Sequence, residues 1–253
     1  MSKNRKMTKV SPASRSAPSR SAYKQPTSTP ADIVVKLGNR HYKRAELLPR
    51  NTAQETYVEA LLDKRMVFAV GPAGTGKTLL AVVRAIQALR SQEVTRIILT
   101  RPAVSVDEKH GFLPGTLNEK MEPWTRPIFD VFEEYYGLTE TARMLEEGVI
   151  EIAPLGFMRG RTFKHAYVLA DEMQNSTPDQ MKMLLTRIGE GSSMIITGDV
   201  RQHDRGYDRN GLLDFLERLN TSPTSAMAVC KFGREHIERD PLVAEVLKIY
   251  GED

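Results

Sequence analysis

Val67-Phe-Ala-Val70, followed without a break by Gly71-Pro-Ala-Gly-Thr-Gly-Lys-Thr78, decides how this chain is read. The first four residues are a β-branched and aromatic run of buried-strand character. The next eight fit G-x-x-x-x-G-K-[ST], in which glycines let backbone N–H groups curl around phosphates and the lysine reaches the terminal oxygens. Leu79-Leu-Ala-Val-Val-Arg-Ala-Ile-Gln-Ala-Leu89 then supplies a helix whose N-terminal amides and dipole face the same anion. Strand, loop and helix together predict a nucleoside triphosphate site. Its contacts are Gly71, Pro72, Ala73, Gly74, Thr75, Gly76, Lys77 and Thr78, with Leu79 just beyond, and Thr78 is also a ligand for Mg²⁺.

Outward from that loop, strand and helix signals alternate as a parallel sheet requires. Asn51–Leu62 reads as a helix before the first core strand, and Arg96–Thr100 as the next strand. Thr116–Tyr136, interrupted by Pro123 and Pro127, is expected to form two helical pieces with a kink. Then come a helix over Thr139–Gly148, strands at Val149–Ile152 and His165–Ala170, and a helix over Pro178–Ile188. A strand at Ser193–Thr197, a helix over Gly211–Leu219, a strand at Ser225–Val229 and a closing helix over Asp240–Tyr250 complete the pattern. The expected fold is α/β: a P-loop NTPase with a RecA-like parallel sheet and helices on both faces.

Composition bounds the setting. The 253 residues, 40% hydrophobic and 27% charged, suffice for one sizeable core. No apolar run reaches the roughly 18 residues needed to cross a bilayer, and the first ten residues lack the apolar core of a signal peptide, so a cytoplasmic protein without membrane partners is expected. The single cysteine, Cys230, excludes an intramolecular disulfide and reads as a small apolar strand residue. The five histidines lack ligand spacing, so no structural zinc is expected.

The net charge of +4 is unevenly spread. Residues 1–30 hold seven Lys or Arg and no acid, with many Ser and four Pro, so residues 1–32 are read as a disordered basic tail and 33–253 as the folded domain. Removing those seven from 36 basic residues leaves 29 against 32 acids, a net of −3. A nucleic-acid role must therefore rest on the tail or on a local stripe such as Lys36, Arg40, His41, Lys43, Arg44 and Arg50.

Tyr167-Val-Leu-Ala-Asp171-Glu172 is an apolar strand ending in paired carboxylates. Behind a phosphate loop, this places Asp171 on Mg²⁺ and Glu172 beside the attacking water, because in-line displacement needs a charge clamp and a base within hydrogen-bond reach. The next strand ends Ile195-Ile-Thr-Gly-Asp199-Val-Arg-Gln202, at the sheet edge where ligands gather, and makes Gln202 a candidate γ-phosphate sensor. The water-activating glutamate disfavours a small-substrate kinase. An ATP-gated module that switches a nuclease or a ribosome-linked factor is the remaining alternative.

Those stretches, with Thr100-Arg-Pro-Ala-Val104, Gly111-Phe-Leu-Pro-Gly115, Trp124-Thr-Arg-Pro-Ile-Phe-Asp130, Met158-Arg-Gly-Arg-Thr162 and Asp171-Glu-Met-Gln-Asn175, resemble the PhoH family over about residues 48–250. These P-loop ATPases are similar to the first motor domain of superfamily 1 helicases. The resemblance implies ATP with Mg²⁺, Gln54 at the adenine edge, and an RNA or single-stranded nucleic-acid context. The usual Asp-Glu-Ala-Gln-Asn reads Asp171-Glu-Met-Gln-Asn175 here, and no fused nuclease domain is recognised. Arg101 and Arg126 are candidate phosphate contacts, as are Arg159 and Arg161, flanked by Gly156 and Gly160 in an expected mobile loop. Trp124, Phe129, Tyr135 and Tyr136 form either a base-stacking face or an amphipathic packing face.

Helicases with these motifs bind ATP between two motor domains, the second supplying an arginine. With only about 50 residues after Gln202, that arginine is expected in trans, from a homo-oligomer in a closed ring, a hexamer being the expected size. Arg239, which matches an arginine of the family's C-terminal block, is the candidate finger.

Overall fold

The computed structural model describes residues 43–102, 117–202, 209–238 and 241–250. The tail of residues 1–32, most of the basic stripe before Lys43, and Arg239 lie outside the described residues, as does the side chain of Trp124. In chain order the elements are α1 (Thr52–Asp63), β1 (Met66–Val70), α2 (Lys77–Arg90), β2 (Arg96–Thr100), α3 (Leu117–Tyr136), α4 (Leu138–Glu146) and β3 (Ile150–Ile152). There follow β4 (Ala166–Ala170), α5 (Pro178–Leu185), β5 (Ser193–Gly198), α6 (Gly211–Thr221), β6 (Met227–Lys231) and α7 (Pro241–Ile249).

Six strands form one sheet in the order β3-β2-β4-β5-β1-β6, and every pairing is parallel. Such a sheet must be covered on both faces, which is why β1 and β4 are buried along their whole length. Alternate residues feed two cores. Val67, Ala69, Ile97, Leu99, Tyr167, Leu169 and Ile195 face α1–α4, and Phe68, Ile98, Val168, Met194 and Ile196 face α5 and α6.

Helix ends follow local chemistry. Asn51 caps α1, its side chain accepting from the Gln54 N–H at 3.0 Å. Thr177 and Gln180 form a capping box at α5 with Pro178 in the first turn, and Asn210 caps α6. The expected Pro178–Ile188 helix stops at Leu185 because Ile188 leaves it to bridge Phe163.

One expectation is overturned. Thr116–Tyr136 does not form two pieces: a single helix, α3, runs through both prolines. Pro123 and Pro127, four residues apart, each lack the N–H of a ladder bond, and Pro127 is exposed. The helix also carries Ile128, Phe132 and Tyr136, all buried with α2 in the larger core, and this packing outweighs the lost ladder bonds. Phe132→Ala, at a side chain with 0% exposure, is expected to cost about 3–5 kcal/mol. Urea denaturation would show this as a lower midpoint at an unchanged m value.

Candidate nucleotide-binding site

Strand order assembles the site. The loop leaves β1, the carboxylates leave β4, and β5 stands between them. All three strands point their carboxyl ends to one edge, where the loop residues Ala73–Leu79 meet Asp171, Glu172, Gly198, Asp199 and Gln202 around a cleft of about 200 Å³.

The loop has the backbone that phosphate binding needs. Gly71, Gly74 and Gly76 take φ of 148°, 80° and 80°, the region open to glycine. A Cβ at Gly71 would stand 2.3 Å from the Phe232 carbonyl oxygen, so the wall against β6 also demands glycine there. Gly76 starts α2, directing that helix's free amides at the cleft. Lys77, 9% exposed, folds its Nζ onto the Gly71 and Pro72 carbonyls at 2.7 Å each and onto Thr75 Oγ1 at 3.4 Å. Burial pulls its pKa below the ordinary lysine value, and Asp199, Asp171 and Glu172 oppose that shift.

Thr78 Oγ1 donates to Asp171 Oδ1 at 3.1 Å, and the Thr197 hydroxyl of β5 bonds the same oxygen. This hydroxyl–carboxylate pair suits a hard cation beside phosphate, so the residues fit Mg²⁺. Glu172 adopts φ 54°, a left-handed conformation costing a non-glycine residue about 1–3 kcal/mol. Gln174, 1% exposed, donates from Nε2 to Glu172 Oε2 at 2.5 Å and accepts the Asp199 N–H at 3.1 Å through Oε1. It fixes the carboxylate and joins the ends of β4 and β5. The sequence reading gave Gln174 no role; its place in Asp171-Glu-Met-Gln-Asn175, four residues beyond the end of β4, was the available signal.

Gln202 lines the cleft, exposed, with its N–H on the Asp199 carbonyl. Gln54 lies behind the loop, 4% exposed: Nε2 donates to the Thr75 carbonyl at 3.1 Å and Oε1 accepts the Arg50 N–H at 2.9 Å. Its amide is thus engaged by the protein itself. Tyr57, also buried, donates its hydroxyl to the Lys77 carbonyl at 3.2 Å.

Several other sequence candidates are not brought to the cleft. Arg126 pairs with Asp130 and Glu133 on α3. Arg161 is held by Glu151 at 2.5 Å and lies over Phe163, while Arg159 is exposed. Phe129 and Tyr135 pack against the core and Tyr136 is part of it, the amphipathic packing of the two alternatives. Arg101 is half-buried just after β2. Cys230 is on β6 and buried, its thiol pushed up to about 11 by desolvation. Among the described residues, no helix is long and apolar enough to cross a membrane.

A parallel sheet with a glycine-rich loop after β1 and a carboxylate on the strand beyond its neighbour defines a P-loop nucleotide-binding domain. The particular family follows from comparison: the model of the family described as "PhoH-like protein" matches residues 46–251, and the chain belongs to that family. It is 48% identical over 203 residues to a PhoH-like protein of Bacillus subtilis (strain 168), covering 79% of this chain and 63% of that protein. It is 43% identical over 208 residues to Protein PhoH of Escherichia coli (strain K12), covering 81% and 58%. The chain thus spans about three-fifths of the length of these relatives. The Pif1 helicase of Candida albicans superposes with a TM-score of 0.39 at 16% identity, over 79% of this chain and 44% of that one, a likeness too low to carry an argument.

Gln174→Ala would leave the buried Asp199 N–H without its acceptor, and is expected to cost about 1–3 kcal/mol. Chemical denaturation of the variant against the parent measures this directly.

Proposed function

We propose that this domain binds ATP with Mg²⁺ in the cleft and hydrolyses it, and that turnover is coupled to RNA or single-stranded nucleic acid. The observation that carries the reading is the paired carboxylate at the end of β4, with Asp171 already bonded to the Thr78 hydroxyl of the phosphate loop and Glu172 held by Gln174. Thr78 and Asp171 would hold the Mg²⁺, which when bound neutralises charge on the phosphate oxygens. Lys77 exchanges its loop carbonyls for phosphate oxygens. Glu172 orients the attacking water and accepts its proton, and Gln202 senses the terminal phosphate. A glutamate placed to activate water, with Gln202 beside it at the cleft, favours hydrolysis over phosphoryl transfer to a small molecule.

Lys77→Ala is expected to lose ATP binding, whereas Glu172→Gln keeps it and loses turnover by about 10²–10⁴-fold. Equilibrium binding and phosphate release separate the two defects. A Glu172→Gln protein that turns over near the parent rate would refute the base assignment. Phosphate release with and without RNA, single-stranded DNA and duplex tests the coupling. Basal turnover that no nucleic acid stimulates favours the other reading, an ATP-gated module acting on a partner nuclease or ribosome-linked factor.

Assembly completes the proposal. Arg239 lies two residues before α7 in the sequence, and on α7 Val243, Val246 and Ile249 are exposed, an apolar surface suited to a neighbouring copy. In a closed ring, that neighbour would receive Arg239 at its cleft. Mixing Arg239→Ala with Lys77→Ala, each inactive alone, should restore activity at interfaces that combine an intact loop with an intact arginine. Zero activity despite demonstrated subunit exchange, or an active monomer, would overturn the trans arrangement.

A further inference from the structure

We propose that the corner where Asn51 meets Glu238 receives the base of the bound nucleotide, and that the Glu238 carboxylate selects adenine by accepting a hydrogen bond from its exocyclic amine. The inference rests on the ATP reading above and adds a residue that neither the motifs nor that reading employs.

Strand order sets the direction in which a nucleotide lies. The carboxylates of β4 and the Gln202 turn after β5 mark the end of the cleft where the terminal phosphate reacts. The order continues β5-β1-β6, so the nucleoside end lies on the opposite side of the loop, beside β6 and the segment that follows it. There the two ends of the described domain converge. The Glu238 N–H donates to the Gly74 carbonyl at 2.9 Å, which fastens the segment to the loop. Its carboxylate accepts from Asn51 Nδ2 at 3.2 Å. Asn51 is itself anchored as the cap of α1, and Gln54, one turn on, holds the Thr75 carbonyl.

The corner is therefore polar, exposed and rigidly referenced to the phosphate loop at Gly74 and Thr75. A carboxylate has about four lone-pair directions, and Asn51 uses one. Adenine presents an amine donor where guanine presents a carbonyl oxygen, which a carboxylate repels. Gln54, with its amide already bonded to Thr75 and Arg50, serves this corner as a support.

Dissociation constants for Mg·ATP, Mg·GTP and Mg·tripolyphosphate, measured calorimetrically on the parent, Glu238→Ala and Glu238→Gln, test this. The backbone bond to Gly74 survives both substitutions. Glu238→Ala should weaken ATP about tenfold, as expected for one charge-assisted hydrogen bond, while GTP and tripolyphosphate change little. Glu238→Gln, which keeps an acceptor oxygen, should recover part of the loss. An unchanged ATP-to-GTP ratio in Glu238→Ala would overturn the base contact, and so would equal weakening of all three ligands, which would make Glu238 a support of the loop. Failure of the parent to bind any nucleotide would overturn the ATP reading itself, and this inference with it.

Discussion

One carboxylate oxygen ties the cleft together. Asp171 Oδ1, at the end of β4, accepts from Thr78 at the start of α2 and from Thr197 on β5, so a single atom references the loop, the carboxylate strand and the strand between them. This is possible because β5 is inserted between β1 and β4, which sets loop and carboxylate two strand spacings apart, roughly 10 Å. Strands placed directly side by side would crowd the phosphate space, and a wider gap would take the Thr78 hydroxyl out of reach. The sheet order is in this sense a requirement of the site.

The loop is held from outside as firmly as from within. Gly71 is pressed against Phe232, Gly74 accepts the Glu238 N–H, Thr75 accepts from Gln54, and Lys77 accepts from Tyr57 through its carbonyl. Each bond satisfies a loop carbonyl from the protein side, which suits a loop whose amides are to serve an anion. The Lys77 side chain turns back onto the same loop. Its Nζ rests on two loop carbonyls; burial lowers its affinity for a proton, and Asp199, Asp171 and Glu172 oppose that shift.

Periodicity and turn chemistry made most of the fold legible. Residues of β1, β4 and β5 are apolar because both faces of the sheet are covered, and Asn51, Thr177 and Asn210 announce helix starts through their own side chains. The loop was legible because its glycines follow a local backbone rule. Gln174 was not assigned, since its function is to join two strand ends that only the folded sheet brings together. The expected kink in α3 failed for a related reason: a proline's local cost was weighed without the buried seam of Ile128, Phe132 and Tyr136.

The same limit explains the rim of the site. Asn51 and Glu238 are 187 residues apart, and no local pattern pairs them. Their meeting follows from parallel topology, since β6 ends beside β1 at the carboxyl edge and α1 enters β1 from the other edge, with its capped N-terminus lying back toward the loop. Any chain with this strand order returns its last segment to that flank of the phosphate loop. The loop itself is constrained by the phosphates it must cradle, and so leaves the choice of base to residues outside it. The segments carrying Asn51 and Glu238 reach that flank from widely separated parts of the chain and are fastened to the loop at Gly74 and Thr75.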